Sequence, residues 1–600
     1  IGSGLVGSEM CIRDRYISLL LTALTSCNDA FLDRLPETSL VTDNFFKSPS
    51  DLELFVNKLY LSENPIYWDL GTDNVVASEK TEILDLLHGN ITPATVGGWS
   101  WSQIRELNYF LDNSKKVTGD QQLIDHYVGI VRALRAREYY EKIKRYNDVP
   151  WYDHALKDTE YDELYKSQDS RTYVVDKIME DLDFAIEHIM PDLANRTVYS
   201  KWWAYGLKAR IALHEGTFRK YHNELHLTST ADKYLQMAID AAEHIMDNTN
   251  DFGIYMDEGP KHAYRKLFIS NDLGKCKEII MFKDFNLDAQ IKHYASNHVF
   301  SYTTNLSKSL MDSYLCVVDG KPVPFSSISG YQTKNFCETF VDRDPRYEQT
   351  FMYPGYVRPG DALPFVPNLN LGGYPQIKFV SEDPSQIAPG TSYNDLPLMR
   401  LGEILLIYAE SKAELGTLTQ NDLDISINLL RDRVGMPHMI LSELKVDPLL
   451  EIEYPNVSGN QKNAILEIRR ERRVELACEG FRLDDVIRWK VGKLLEMSQG
   501  VYISKLNQPF DVTGDGKPDV GVYLNSSLVP ESDKELICYY LENGNGEKSS
   551  ISLSKGDHGY IILTNDVTNP KIFMEPKYYY FPLPQSERLT NPNLLETVFW

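Results

Sequence analysis

A recurring helical period is the feature that most limits what this chain can fold into. Apolar residues return every three or four positions in separate stretches, the clearest being 51–62, 101–111, 126–144, 173–190, 201–215, 233–246, 401–416 and 423–434. This spacing places apolar side chains on one face of an α-helix. Small residues such as Gly206, Ala409 and Ala413 allow neighbouring helices to approach closely. We therefore predict a mainly all-α fold built from helix pairs.

Irregular segments separate these predicted helices. Residues 63–100, 251–395 and 499–570 are rich in Tyr, Gly, Pro and Asn, and contain only short strand-like runs such as 278–282 and 560–564. No Pro/Gly/Ser-rich linker or low-complexity tract divides the chain. The sequence thus predicts one large body, in which tetratricopeptide-like helix pairs carry a loop-rich face and a few short strands.

The N-terminal region predicts secretion and lipid attachment. Arg13 and Arg15 precede an apolar run at 16–24, and small residues lead from this run to Cys27. The run is a signal-peptide core rather than a membrane span, which needs about 20 apolar residues. We predict a signal peptide over 1–26 and lipidation of Cys27. The alternative is a lone cysteine in an ordinary cleaved leader.

The first fifteen residues do not resemble a natural start. Position 1 is not Met, and Glu9 and Asp14 place acidic groups where a signal peptide is normally basic. We interpret residues 1–15 as an adapter-derived or mis-assembled extension.

Charge and cysteine usage exclude several classes of protein. The formal net charge of -24 would repel phosphate backbones, and no Lys/Arg-rich stripe offsets it, so nucleic acid is disfavoured as a partner. The five cysteines of the body have no CxxC spacing, which argues against a zinc site. One or two disulfides are compatible with an oxidising compartment.

Catalytic motifs are absent from the sequence. We find no nucleophile elbow, HExxH helix, Walker loop or GxGxxG turn. Glu467, Glu471 and Glu475 lie four apart among arginines, a pattern typical of ion-pair networks or solvated helix faces. A carboxylate pair for glycoside hydrolysis is the weaker alternative. We therefore predict that the protein is not an enzyme and requires no cofactor.

One loop resembles the beginning of a calcium-binding loop. Asp511, Thr513, Asp515 and Asp519 occupy positions 1, 3, 5 and 9 of an EF-hand-like pattern with glycine at position 6. Position 12 is Val522 rather than a bidentate Glu. A weak Ca²⁺ site and a plain Asp/Gly turn both fit this pattern.

Several motifs together resemble the SusD/RagB family of the Bacteroidota, and they occur in the family's order over nearly the whole mature chain. They are Cys27-Asn28-Asp29 with Phe31-Leu32-Asp33, Arg343-Asp344-Pro345-Arg346, Arg400 with Glu403 and Tyr408, Glu471-Arg472-Arg473 with Glu475, Glu479-Gly480, Arg488-Trp489, Tyr580-Phe581-Pro582 and Asn591-Pro592-Asn593-Leu594. The final residues, Glu596 to Trp600, depart from the family's usual ending.

The resemblance implies a fold and a function. It implies a single SusD-like domain over 27–600, with an N-terminal part at 27–350 and a RagB/SusD C-terminal part at 351–600. It also implies a lipoprotein on the outer face of the outer membrane, which captures glycans for a partner SusC-like TonB-dependent transporter. A peptide cargo, or a purely structural interaction scaffold in the transporter complex, is the alternative.

A carbohydrate site needs flat aromatic faces for the sugar ring and polar groups for its hydroxyls. The loop at 63–100 contains both kinds of residue, and we predict ligand contacts from Trp68, Asp73, Asn74 and Trp99. The alternative is that these tryptophans attach the loop to the core.

Overall fold

The computed structural model describes residues 45–77, 80–191, 194–301 and 304–600. The predicted signal peptide and Cys27 lie outside these ranges. Within them the α-helices are α1 (Pro49–Leu61), α2 (Glu82–Leu87), α3 (Ser102–Ser114), α4 (Gln121–Tyr146), α5 (Tyr161–Leu164), α6 (Arg171–His188), α7 (Lys201–Tyr221), α8 (Ala231–Met246), α9 (Ala263–Leu267), α10 (Ala295–Ser301), α11 (Lys308–Ser313), α12 (Arg346–Thr350), α13 (Leu401–Glu414), α14 (Gln420–Asp424), α15 (Ile427–Val434), α16 (Pro448–Glu453), α17 (Lys462–Glu475), α18 (Arg482–Arg488), α19 (Thr564–Thr568) and α20 (Gln585–Thr590).

The strands are short and form small, separate sheets. They are β1 (Val75–Ala77), β2 (Ile279–Lys283), β3 (Thr304–Leu306), β4 (Cys316–Val318), β5 (Lys321–Val323), β6 (Leu396–Arg400), β7 (Tyr502–Ile503), β8 (Gln508–Phe510), β9 (Val520–Tyr523), β10 (Ile537–Tyr540), β11 (Ile551–Leu553) and β12 (Gly559–Leu563). Antiparallel pairs join β1 to β3, β2 to β6 and β4 to β5. Strand β9 lies between β8 and β10, and β12 lies between β7 and β11. The fold is therefore mainly helical with a few short strands, as predicted.

The N-terminal helices form an antiparallel array. The start of α4 lies beside the end of α6, where Met190 N–H donates to His126 Nδ1 over 3.1 Å. At the opposite end, Arg171 N–H donates to Asp148 over 2.7 Å. Helix α7 runs antiparallel to α8 in the same way, and Gly216 allows close contact because a Cβ there would lie 2.8 Å from Leu235 Cγ. This array confirms the predicted helical scaffold, in which α4 packs against α6 and α7 packs against α8.

Local signals place the ends of these helices. The side chains of Asp120, Ser170 and Ser200 cap α4, α6 and α7 by accepting hydrogen bonds from backbone N–H groups of the first turn. Helix α4 ends at Tyr146, and the residue that follows it, Asn147, has a positive φ of 67°, which asparagine tolerates better than most residues.

Two apolar cores support the two kinds of structure. The larger core lies among α1–α4, α6–α8, α13, α15, α17 and α18. The second core lies under the irregular segments between Tyr264 and Ile561, and it contains many aromatic side chains. The loop-rich half of the molecule is thus packed rather than open.

The structure corrects two local predictions. The helix predicted over 423–434 is divided into α14 and α15, because Ser426 N–H turns back to the Leu423 carbonyl and its hydroxyl donates to the Asp422 carbonyl. The loop at 63–100 contains β1 and α2 as well as irregular backbone. In the described ranges all five cysteines are free thiols.

Candidate functional site

Buried ion pairs surround helix α17 and hold the two halves of the chain together. Glu475 accepts a hydrogen bond from Arg400 over 2.8 Å and also pairs with Arg346 and Arg433. Burial would raise the pKa of Glu475, but these three guanidinium groups outweigh it and hold the pKa well below its usual range. Glu471 lies 2.7 Å from Arg346 in the same layer. The predicted ion-pair network is present, and it lies inside the protein.

This network attaches the loop that follows α1. Arg473 and Arg482 donate to the carboxylate of Asp73 over 2.7–2.8 Å. Arg473 also donates to Asn74 Oδ1 over 2.9 Å. Asp69 accepts hydrogen bonds from the backbone N–H groups of Cys478 and Gly480 over 2.7 and 3.0 Å. The loop is therefore fixed to the last turn of α17 and to the residues that follow this helix.

Asp73 and Asn74, two of the predicted ligand contacts, lie inside the protein. Each is only 1% exposed, and their side-chain oxygens accept hydrogen bonds from arginines. Burial would raise the pKa of Asp73, but Arg473 and Arg482 outweigh it and lower the pKa. Both side chains hold the loop in place, and their contact with a ligand stays a prediction.

Three aromatic rings lie in a row beside this loop. They are Trp68, which belongs to the loop, His298 and Tyr294, and we call them the aromatic ledge. The rings of Trp68 and His298 are stacked at 5.3 Å with an interplanar angle of 3°. The rings of His298 and Tyr294 are stacked at 5.1 Å and 19°. Tyr294 is 50% exposed and ends the row, whereas Trp68 is half-buried. The ledge therefore offers a partly exposed aromatic surface.

Neighbouring groups fix the geometry of the aromatic ledge. Tyr67 OH and His298 Nδ1 are 2.9 Å apart. Burial raises the pKa of Tyr67, so its hydroxyl stays neutral. Gly390 passes close to the Tyr294 ring, where a Cβ would lie 3.2 Å from Cζ. The φ of 69° at Gly390 adds a second reason for glycine there. The rings are thus held in place before any ligand arrives.

Trp99 lies in different surroundings from Trp68. Its ring makes edge-to-face contacts with Trp101 at 5.1 Å and with Tyr146 at 4.9 Å. It is half-buried against the helical core. These contacts favour the alternative role for Trp99, attachment of the loop to α3 and α4.

Tyr294 and His298 were not predicted as site residues from the sequence. Their i,i+4 spacing is a usable signal, because such residues share one face where a helix begins. The contact between His298 and Trp68 joins positions about 230 residues apart, and no local pattern reveals it.

The carboxylates of the calcium-like loop bind backbone groups. Asp511 accepts hydrogen bonds from the N–H groups of Gly514 and Gly516 over 2.6 and 2.8 Å. Asp519 accepts from Val512 and Thr513. Asp515 accepts from Lys517 N–H over 2.8 Å. No group of three or more His, Cys, Asp or Glu among the described residues is arranged to hold a metal ion. The Ca²⁺ site stays a prediction.

Comparison with known proteins identifies the family. A sequence model of the SusD family matches residues 277–600. SusD-like protein P2 of Formosa agariphila is 23% identical over 551 residues, which cover 86% of this chain and 98% of the relative. SusD-like protein P38 of the same organism is 22% identical and covers 79% of this chain and 90% of its own length. The chain belongs to the SusD family.

Solved structures agree on the fold. A SusD-like protein from Bacteroides fragilis superposes with a TM-score of 0.65 at 17% identity, covering 94% of this chain and all of its own. A SusD-like carbohydrate binding protein from the same species also gives 0.65, at 19% identity, covering 92% of this chain and all of its own. In the part of the chain that the structure covers, no helix combines the length and apolar character needed to cross a bilayer.

Proposed function

We propose that this chain is a surface lipoprotein that binds glycans at the aromatic ledge and delivers them to a TonB-dependent transporter. The ledge is the observation that carries the proposal. Stacked, partly exposed rings of Trp68, His298 and Tyr294 suit the apolar C–H face of a sugar ring. The family, and a fold shared with the SusD-like carbohydrate binding protein of Bacteroides fragilis, support it.

Binding without catalysis is the activity that we propose. Glu471 and Glu475 lie on α17, the helix that carries the candidate glycosidase carboxylates. Both side chains are buried in ion pairs with arginines. A general acid and a nucleophile must both reach the scissile bond. Carboxylates enclosed in this way cannot do so without breaking the ion-pair layer.

Lipid anchoring and transfer to a transporter extend the proposal beyond the described residues. The predicted lipidation of Cys27 and the family's association with transporters support these two steps. The alternative remains a peptide-binding or purely structural scaffold of the same complex.

An affinity-gel screen over a panel of polysaccharides tests the proposal. Wild type is compared with W68A and Y294A, and with Y173A as matched control, because Tyr173 is an exposed tyrosine on α6. We expect retardation by at least one polysaccharide, weakened about tenfold or more by W68A and Y294A and unchanged by Y173A.

The assay separates the candidate functions. Retardation without release of reducing ends supports glycan binding, whereas release of reducing ends would identify a glycosidase. A blank screen, or retardation that survives both ledge variants, contradicts the ledge as the glycan site. In that case a peptide cargo or an interaction scaffold becomes the better account.

A further inference from the structure

A buried carboxyl joins three segments next to the aromatic ledge. Asp395 lies just before β6 and is 1% exposed. One carboxyl oxygen accepts a hydrogen bond from the backbone N–H of Leu273 over 2.9 Å, and the other accepts from that of Phe285 over 3.0 Å. The backbone N–H of Asp395 donates to the carbonyl of Ser270 over 2.8 Å. Asp395 therefore fixes 270–273 and 284–285 to the chain that enters β6, and we call this arrangement the Asp395 junction.

The Asp395 junction also holds the start of α10. The ring of Phe285 lies 4.3 Å from the ring of His293. His293 Nε2 donates to the Asn394 carbonyl over 2.9 Å, and Nδ1 accepts over 3.1 Å from the N–H of Ala295, the first residue of α10. Burial lowers the pKa of His293 to about 4, so the ring is neutral and makes both bonds. A chain of direct contacts thus runs from Asp395 to α10.

Two of the three ledge rings lie on α10 or directly before it. Tyr294 lies between His293 and the first residue of the helix, and His298 lies on the helix itself. The backbone N–H of His293 donates to the Ser392 carbonyl over 2.8 Å, and Gly390 passes close to the Tyr294 ring. Release of the Asp395 junction would therefore displace both rings.

The charges around Asp395 disfavour its ionised form. Asp272 and Asp284 directly precede the two donor residues, and both are exposed. Burial, together with these two carboxylates, raises the pKa of Asp395 to about 7, although the two backbone N–H donors lower it in part. A neutral carboxyl keeps an acceptor for each N–H group. Below neutral pH the junction is therefore held by an uncharged side chain.

No cation of the neighbouring segments compensates Asp395. The amino group of Lys283 donates to two backbone carbonyls near the end of α1. The two basic side chains of α9 pair with Glu382. His293 is neutral above a pH of about 5. Among the described residues, the other charged groups of 270–275, 283–293 and 383–396 form no ion pair with Asp395, and they are Lys275, Asp288, Lys292 and Asp383.

We propose that Asp395 is a positioning residue of the aromatic ledge, which it holds through the start of α10. The buried hydrogen bonds of its carboxyl and the contact between Phe285 and His293 carry this proposal. Asp395 itself is buried, so it acts on the rings and not on a ligand. Its consequence for glycan binding rests on the proposed function of the ledge.

Hydrogen exchange on the glycan-free chain tests the proposal. D395N keeps the shape of the side chain and one acceptor, whereas D395A removes both acceptors. D288N is the matched control, because Asp288 is exposed and lies between Phe285 and His293 in sequence. At pH 5 we expect the amides of 293–298 to exchange about tenfold faster in D395N, and faster still in D395A, because a buried N–H loses its partner. Amides of α8 should stay at the wild-type rate in all three variants.

The pH profile separates this role from general packing. When the junction opens, the pKa of Asp395 returns from about 7 to 3.8, so a rising pH favours the open form. The exchange rate of 293–298 in wild type, divided by that in D395N, should rise about 90-fold between pH 5 and 8. His293 titrates in the opposite sense, and it cancels in this ratio because both proteins contain it. D272N/D284N should reduce the rise, and D288N should not.

The exchange data decide the proposal. It is overturned if D395N and D288N exchange alike at 293–298, or if the ratio of wild type to D395N changes by less than about threefold between pH 5 and 8. A glycan identified by the affinity gel supplies a second readout, and D395A should bind it at least about threefold more weakly than D288N does. Unchanged glycan affinity together with faster exchange would contradict the ledge as the glycan site, while it would support Asp395 as the residue that positions these rings.

Discussion

Replacing Asp73 with Ala would show whether a buried ion pair holds the ledge-bearing loop in place. Asp73 accepts three charge-assisted hydrogen bonds from Arg473 and Arg482, all of 2.7–2.8 Å. D73A leaves both guanidinium groups buried without this partner. Removing one member of a buried ion pair costs about 3–5 kcal/mol. We expect D73A to weaken the attachment of residues 67–77 by this amount.

Hydrogen exchange measures that loss directly. A change of about 3–5 kcal/mol corresponds to an opening equilibrium about 150- to 5,000-fold larger, since each 1.36 kcal/mol is a factor of ten. The amides of β1 report it, because β1 pairs with β3 only while the loop is attached. We expect their exchange to accelerate by this factor in D73A, and glycan affinity to fall although Asp73 itself is buried.

A surface carboxylate in the same part of the chain is the matched control. Asp85 lies 3.6 Å from the exposed Lys80, and such surface pairs contribute about 1 kcal/mol or less. D85A should therefore leave exchange in β1 close to wild type. If D73A accelerates that exchange by less than about tenfold, or no more than D85A does, the reasoning about the buried ion pair is refuted.

Three further predictions concern packing, pH and calcium. G216A should lower the free energy of unfolding by about 1 kcal/mol or more, because the new Cβ meets Leu235. In the control G544A the new Cβ meets nothing within 4 Å, so the free energy of unfolding should stay within about 0.5 kcal/mol of wild type. Urea unfolding measures both variants. Burial would raise the pKa of Glu215, but its arginine partners lower that pKa to about 2. The stability that the ionised Glu215 carboxylate contributes is therefore present above its unfolded pKa, and it is lost as the pH falls from about 4.5 to 2. The difference in unfolding free energy between wild type and E215Q should shrink by about 3 kcal/mol over that window, and a constant difference would contradict the assignment. If 511–519 binds Ca²⁺, about 1 mM CaCl₂ should raise the melting temperature above its value in EDTA, and an unchanged value would leave only the Asp/Gly turn.

Local pattern was sufficient to predict the helical scaffold. The helix predicted over 51–62 corresponds to α1, and the runs at 278–282 and 560–564 correspond to β2 and β12 within one residue. Periodicity and capping act between residues close in sequence, so one sequence contains this information. The division of 423–434 at Ser426 was missed because it depends on hydrogen bonds at a single turn.

The candidate site was predicted only in part, for a physical reason. Asp73 and Asn74 looked like ligand groups because they are polar residues in an aromatic loop. Their partner Arg473 lies about 400 positions away, and only the folded chain brings it to them. Trp68 was predicted from its residue type, but its stacking partner His298 comes from another segment. Composition suggested the chemistry of the site, and tertiary contacts decided which residues are exposed.

The most direct test of the account is a crystal structure with a glycan that the affinity gel has identified. We predict that a sugar ring lies against the exposed face of Tyr294 or Trp68, with the loop at 67–77 in the conformation described above. A glycan bound elsewhere, with the rings of the aromatic ledge free of contact, would contradict the central claim.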